Sequence, residues 1–123
     1  MILIHGFASS NFVWSKVLLE LADKGFRVIA PDLLGYGYSD KPRHLDYTIA
    51  RQAEVVISFL EQLEIDRAIF LGSSYGAAVA ATIALDQPAH DRPLALVRDG
   101  DVIELVFTTA DASLPPFSAV PSY

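Results

Sequence analysis

The chain has 123 residues, of which 52% are hydrophobic and 20% are charged, and its formal net charge is −6. This length suits one compact domain, and this composition suits a buried core and excludes a disordered chain. Because Lys and Arg are scattered and cysteine is missing, we expect neither a nucleic-acid interface nor a disulfide or thiolate metal site.

Short apolar runs alternate with amphipathic helical patterns along the first 88 residues. The runs are typical of buried strands and cover residues 2–4, 26–30 and 68–71. Helices are predicted over about 11–24, 48–63 and 77–85. The stretch 32–47 is rich in Gly, Asp and Pro and is predicted to be a loop. This alternation favours parallel strands joined by right-handed crossovers, so the predicted fold class is α/β, a three-layer α/β/α arrangement with a short parallel sheet.

The pattern changes after Pro88. Two β-prone runs, 94–97 and 102–107, flank Asp99-Gly100, and an Asp-Gly pair between such runs is a strong hairpin signal. The predicted organisation is therefore a partial α/β core at 1–90, a β-hairpin extension at 91–114 and an irregular tail at 115–123.

The motif with the clearest chemical meaning lies at residues 72–76, which read Gly-Ser-Ser-Tyr-Gly and fit G-x-S-x-G. A predicted strand precedes it and a predicted helix follows it. In that context the central Ser74 lies on a strained turn with its hydroxyl exposed, and the glycines allow close backbone approach. The helix N-terminus favours the negative charge that develops on an attacked carbonyl oxygen. The motif therefore predicts a nucleophile elbow.

Residues 2–88 resemble the front half of an α/β-hydrolase domain. The resemblance rests on His5-Gly6-Phe7, on residues 28–42 (Val-Ile-Ala-Pro-Asp-Leu-Leu-Gly-Tyr-Gly-Tyr-Ser-Asp-Lys-Pro), and on the elbow, in that order. These stretches are similar to the branch with esterases, C–C-bond hydrolases and epoxide hydrolases. A serine at the elbow, where haloalkane dehalogenases and epoxide hydrolases carry Asp, implies an esterase, a lipase or a C–C hydrolase.

The resemblance also implies residue roles. Ser74 would be the nucleophile, and the backbone N–H groups of Phe7 and Tyr75 would form the oxyanion hole. Gly6 would let its loop approach the substrate, and His5 would shape that loop rather than act as a base. The implied reaction is hydrolysis of a small ester or related molecule through an acyl-enzyme, with no cofactor and no metal ion.

The triad histidine has no clear candidate, because the family takes its acid and its histidine after the serine. His90 is the one later histidine, and Asp86 is the one acid between them, at the end of the elbow's own helix. Asp111 resembles the family's strand-end acid and is a possible acid, but no histidine follows it. His44 stands where the family has no base. We therefore expect weak activity or none from the chain alone.

Two non-catalytic interpretations stay open. Residues 93–105 resemble a stretch near the C-terminus of dihydroxy-acid dehydratases, without any cluster ligand, so the chain could be a truncated or recombined α/β domain. A short sheet also leaves open edges, which predicts an interaction module or a homodimer that pairs through them.

No membrane association is expected from this sequence. No apolar run has the length of a bilayer span, and the N-terminus lacks the basic start and long apolar stretch of a signal peptide. Together with the absence of cysteine, this favours a cytoplasmic protein.

Overall fold

The computed structural model describes residues 1–86, 94–98 and 101–103. Within them, one sheet contains the strands β1 (Ile2–Ile4), β2 (Phe70–Ser73), β3 (Leu94–Arg98) and β4 (Asp101–Ile103), in that order across the sheet. The α-helices are α1 (Ser15–Asp23), α2 (Ile49–Gln62) and α3 (Tyr75–Asp86), and a 3-10 turn at Asn11–Trp14 precedes α1.

The sheet combines a parallel part with a hairpin. β1 pairs with β2 in parallel, and β2 pairs with β3 in parallel. β3 and β4 are antiparallel, which confirms the predicted hairpin over the described residues. The remainder of its second predicted strand, 104–107, lies outside them, as do the predicted boundary at 90/91 and the tail at 115–123.

The connections place helices on both faces of the sheet. The first crossover runs from β1 through α1 to Ile29, which pairs with β1 on one side. The second crossover runs in the opposite direction, from Ile29 through α2 to β2 on the other side of β1. Because right-handed crossovers in opposite directions lie on opposite faces, α1 and α2 are on different sides. α3 contacts α2 and the three parallel strands. The predicted three-layer α/β fold is confirmed.

The predicted strand at 26–30 is reduced to a single bridge, in which Ile29 lies parallel to Ile2. The Ile29 N–H donates to the Met1 carbonyl and the Leu3 N–H donates to the Ile29 carbonyl, both at 2.9 Å. The next rung of a parallel ladder would need an N–H at residue 31, and Pro31 has none. The predicted position was therefore correct, but the predicted strand length was wrong.

The core lies between the sheet, α2 and α3. Its buried apolar side chains are Ile2, Ile4, Leu33, Ala53, Val56, Leu60, Phe70, Val79, Ala80 and Ile83. All three residues of β1 are buried, as expected for a parallel strand covered on both faces. α1 buries none of its residues, because among the described elements it contacts only the 3-10 turn. None of the described helices is long and apolar enough to cross a membrane.

The helices α1 and α2 end in the same way. The residue after each C-cap, Gly25 or Glu64, donates its N–H to the carbonyl three residues earlier (2.9 and 3.0 Å), and the next N–H donates to the carbonyl five residues earlier (3.2 and 3.0 Å). This is the Schellman arrangement, which places a residue in the left-handed region and usually uses glycine there. Gly25 has φ +87°, but after α2 the same position is taken by Glu64 at φ +54°.

The substitution Glu64→Gly is expected to stabilise the fold. A side chain in the left-handed region costs about 1–2 kcal/mol, whereas the added freedom of glycine in the unfolded chain costs about 0.5–1 kcal/mol. Urea denaturation should therefore show a free energy of unfolding higher by about 0.5–1 kcal/mol. In the matched control Glu61→Gly, inside α2, it should fall by about 1 kcal/mol. A loss in both variants would contradict the left-handed geometry.

Candidate active site

The turn between β2 and α3 holds Ser74 in a strained conformation. Ser74 has φ +51° and is exposed, in a region that costs a residue with a side chain about 1–2 kcal/mol. Its carbonyl accepts the N–H groups of Ala77 at 2.9 Å and Ala78 at 3.3 Å, so Ser74 caps the first turn of α3. Strain of this kind is concentrated at functional sites. The serine hydroxyl is thus presented at the positive end of a helix.

The two glycines of the motif allow backbone segments to approach more closely than any side chain would permit. A Cβ on Gly72 would overlap the carbonyl of Gly76, and a Cβ on Gly76 would overlap the carbonyl of Ile4 and lie 2.5 Å from that of His5. The start of α3 therefore lies directly on the end of β1. This contact brings residues 5–7 to the serine turn.

The loop after β1 lies against Ser74. A Cβ built on Gly6 would lie 3.5 Å from Ser74 Cβ and 3.3 Å from the Ser73 carbonyl oxygen. Phe7 follows Gly6 in this loop, and Tyr75 follows Ser74. The two residues predicted to supply the oxyanion hole are therefore the next residues of the two chain segments that meet at Ser74.

The His5 side chain is completely buried, and both ring nitrogens contact the backbone. Nε2 accepts the N–H of Leu33 at 3.0 Å, so Nδ1 carries the hydrogen and donates it to the Gly6 carbonyl at 2.8 Å. The ring also meets Tyr36 edge-on, with centroids 5.5 Å apart. Such a ring fixes its loop and has no free nitrogen with which to accept the serine proton.

A buried carboxylate, Asp32, joins the segments around the site. It accepts the N–H of Asn11 on Oδ1 at 2.6 Å and the N–H of Tyr38 on Oδ2 at 2.9 Å. Its Oδ1 lies 3.9 Å from His5 Nε2, and its side chain is 4% exposed. The Ser39 hydroxyl donates to the Asp32 carbonyl at 2.6 Å. One side chain thus fixes the start of the 3-10 turn and the 33–41 loop.

The buried amide of Gln52 fixes the same loop to α2. Its Oε1 accepts the Leu34 N–H at 3.0 Å, and its Nε2 donates to the Leu34 carbonyl at 2.7 Å. Sequence reasoning missed both Gln52 and Asp32. A signal was available for Gln52, because this polar residue is one position before Ala53 and four before Val56, on the buried face of α2.

Three aromatic rings form a cluster that includes Tyr75 of the serine turn and Phe7 of the loop beside it. The centroid of Phe7 lies 6.0 Å from that of Tyr36 and 6.2 Å from that of Tyr75, and the two tyrosines are 6.4 Å apart. The Tyr75 hydroxyl donates to the Tyr47 carbonyl at 2.8 Å. Burial, and to a lesser degree the neighbouring Tyr36, raises the pKa of the Tyr75 phenol above its ordinary value of 10.0. The phenol therefore stays protonated and keeps its hydrogen bond at neutral pH.

Two of the predicted candidates for the acid and the base lie within the described residues, and two lie outside them. His44 is exposed in the loop before α2, and Asp86 is the last residue of α3. His90 and Asp111 lie outside the described residues. Among the described residues, no group of three or more His, Asp or Glu side chains could hold a metal ion.

Comparison with known proteins settles the family. A family model described as alpha/beta hydrolase fold matches residues 1–114. The chain belongs to the alpha/beta hydrolase fold family. The match extends through residues 93–105, the stretch for which the sequence analysis predicted a second resemblance, and it crosses the predicted boundary at 90/91.

This alpha/beta hydrolase chain spans about a third of the length of the relatives that it matches. An uncharacterised protein of Mycobacterium tuberculosis is 42% identical over 118 residues, covering 94% of this chain and 33% of the relative. The 2-hydroxymuconate semialdehyde hydrolase of a Pseudomonas species is 35% identical over 105 residues, covering 83% of this chain and 37% of that enzyme. The crystal structure of a probable hydrolytic enzyme from Pseudomonas aeruginosa matches with a TM-score of 0.74 and 37% identity, covering 80% of this chain and 32% of that structure.

The substitution Asp32→Asn is expected to destabilise the fold. It removes the charge and replaces one acceptor by an NH2 group that faces a backbone N–H, so a hydrogen bond to a charged acceptor is lost. The free energy of unfolding should fall by about 1.5–3 kcal/mol in urea denaturation. Asp40→Asn makes the same change at an exposed site in the same loop and should cost less than about 0.5 kcal/mol. Equal losses in the two variants would contradict the proposed role of the Asp32 carboxylate.

The raised pKa of Tyr75 predicts a loss of stability in alkali. Because the folded chain holds the phenol proton more firmly than the unfolded chain, this contribution is complete below about pH 10 and is lost as the pH rises through the raised pKa. Urea denaturation at about pH 8 and pH 11 should show that the free energy of unfolding falls less between these pH values for Tyr75→Phe than for the unsubstituted chain. Tyr38 is fully exposed, so Tyr38→Phe should behave like the unsubstituted chain. Identical alkaline losses in all three proteins would refute the prediction.

Proposed function

We propose that this chain supplies the nucleophile and the oxyanion hole of a serine hydrolase that cleaves carboxyl esters or C–C bonds through an acyl-enzyme. The observation that carries the proposal is the conformation of Ser74, which is exposed and held at φ +51° between β2 and the N-terminus of α3. A simple strand-to-helix connection does not need a strained serine. A nucleophile does, because its hydroxyl must project clear of the sheet.

The chemistry follows from the position of the serine. Ser74 Oγ would attack a carbonyl carbon and give its proton to a base, and the carbonyl oxygen would become an oxyanion between the N–H groups of Phe7 and Tyr75. The leaving group then departs with a proton as an alcohol or, in C–C cleavage, as a protonated carbon fragment. Water hydrolyses the acyl-enzyme and releases a carboxylic acid. Each oxyanion donor lowers the barrier by about 3 kcal/mol.

The base and the acid of the triad would have to come from outside the described residues. His5 cannot serve, because the backbone occupies both of its ring nitrogens. Loss of the triad reduces turnover by about 10⁶ in a well-studied serine protease, while binding and the oxyanion hole alone keep about 10³–10⁴ over water. We therefore expect at most slow acyl transfer from a chain without a base.

The relatives support hydrolysis as the general reaction. One of them is named for the hydrolysis of 2-hydroxymuconate semialdehyde, and the matched crystal structure is that of a probable hydrolytic enzyme. This chain spans 37% and 32% of those proteins. We propose the same class of reaction for it, on a small molecule with a carbonyl group.

Labelling with an alkyl fluorophosphonate tests the nucleophile. We expect slow formation of one adduct, which mass spectrometry of the digested protein locates at Ser74. The adduct should disappear in Ser74→Ala and persist in Ser73→Ala, which removes the neighbouring hydroxyl from β2. The absence of any adduct at Ser74, under conditions in which an ordinary esterase is fully labelled, would end the proposal and favour a non-catalytic α/β domain.

A further inference from the structure

We propose that the rings of Phe7, Tyr36 and Tyr75 form a binding surface for a planar, unsaturated group attached to the carbonyl that Ser74 attacks. This inference rests on the proposed function and deepens it, because it names the class of substrate. We call these three rings the aromatic wall. The substrates expected from it are aromatic or conjugated carbonyl compounds, rather than saturated ones of equal size.

The position of the aromatic wall ties it to the reacting carbonyl. Two of its members are the residues whose N–H groups would bind the oxyanion, Phe7 and Tyr75. The backbone of Gly6 contacts Ser74, with a built Cβ only 3.5 Å from Ser74 Cβ. A carbonyl held between the serine and these N–H groups would therefore lie next to the residues that carry two of the rings.

The two tyrosines are fixed before any ligand arrives. The Tyr75 hydroxyl donates to the Tyr47 carbonyl at 2.8 Å. The Tyr36 N–H donates to the Leu33 carbonyl at 2.9 Å, and its ring meets the buried His5 ring edge-on. Because Tyr75 uses its hydroxyl on the protein, Phe7 and Tyr75 present ring carbon to a ligand. A preorganised apolar surface of this kind binds with little loss of side-chain freedom.

The third ring, Phe7, has exposed surface that a bound ligand would bury. It is 71% exposed although it touches both tyrosines edge-on, with interplanar angles of 71° and 76°. Burial of an exposed aromatic ring is favourable. An aromatic ligand can also stack on the face of the Phe7 ring or meet its edge, and a saturated ligand makes these contacts less well. The three centroids are 6.0–6.4 Å apart, within the range of aromatic pairs, so a planar group can contact more than one ring.

Ligand binding to the full chain with Ser74→Ala tests the inference without any catalytic step. The probes are benzamide and cyclohexanecarboxamide, which have the same carbonyl and ring size but differ in planarity. NMR titration should give a dissociation constant about threefold to tenfold lower for benzamide, the range expected from one or two aromatic pairs. Adding Phe7→Leu, which keeps the backbone N–H, should bring the two constants close together.

Phe12→Leu is the control variant for Phe7→Leu. Phe12 is 78% exposed and forms no part of the aromatic wall, so adding Phe12→Leu should leave the preference unchanged. Equal affinity for the two amides, a preference that survives Phe7→Leu, or no binding of benzamide would each overturn the inference. Since the nucleophile is absent from this experiment, such a result is separate from failure of the fluorophosphonate labelling, which concerns the proposed reaction itself.

Discussion

The absence of a side chain at Gly72 and Gly76 is the constraint on which this site depends. Gly76 lies against the carbonyls that end β1, and Gly72 lies against Gly76 itself. The helix can therefore start immediately after β2, and the single residue left to make the bend is Ser74. Its positive φ is the geometric result. The same contact places the loop after β1 beside the serine, so one steric fact positions both Ser74 and the loop that carries one of its proposed oxyanion donors.

The sequence could predict those parts of the molecule that depend on local pattern. The hydrophobic period identified α2, and the glycine spacing identified the turn at Ser74. On the face of α2 predicted to be buried, Ala53, Val56 and Leu60 are buried, but Ile49 and Leu63 at its two ends are exposed. The length of the strand at 26–30 was wrong, because pairing depends on which N–H groups are available and Pro31 supplies none. The aromatic wall and the Asp32 contacts could not be predicted, since they join residues that are far apart in the chain and have no fixed spacing.

Under the proposed function, the described part of the chain supplies one half of a reaction. It holds the serine proposed to attack and the N–H groups proposed to stabilise the resulting charge, and the positions of these groups depend mainly on backbone geometry. The proton-transfer half, an acid and a histidine, would be held by side chains on other strands of the family's sheet. The chain covers 33% of one relative and 37% of another. Membership of the alpha/beta hydrolase fold family therefore establishes the ancestry and the fold, while the reaction of this chain stays a proposal.

The different construction of the two parts of the site has a consequence for evolution. The serine turn is specified by sterics between main-chain atoms, so almost any substitution at its glycines is incompatible with it. The aromatic wall is specified by packing among side chains and by one hydrogen bond, from the Tyr75 hydroxyl to the Tyr47 carbonyl, and other large rings could pack in the same places. Under the proposed function, selectivity would therefore drift under mutation while Ser74 stays in place, and new substrates would be acquired on an unchanged scaffold.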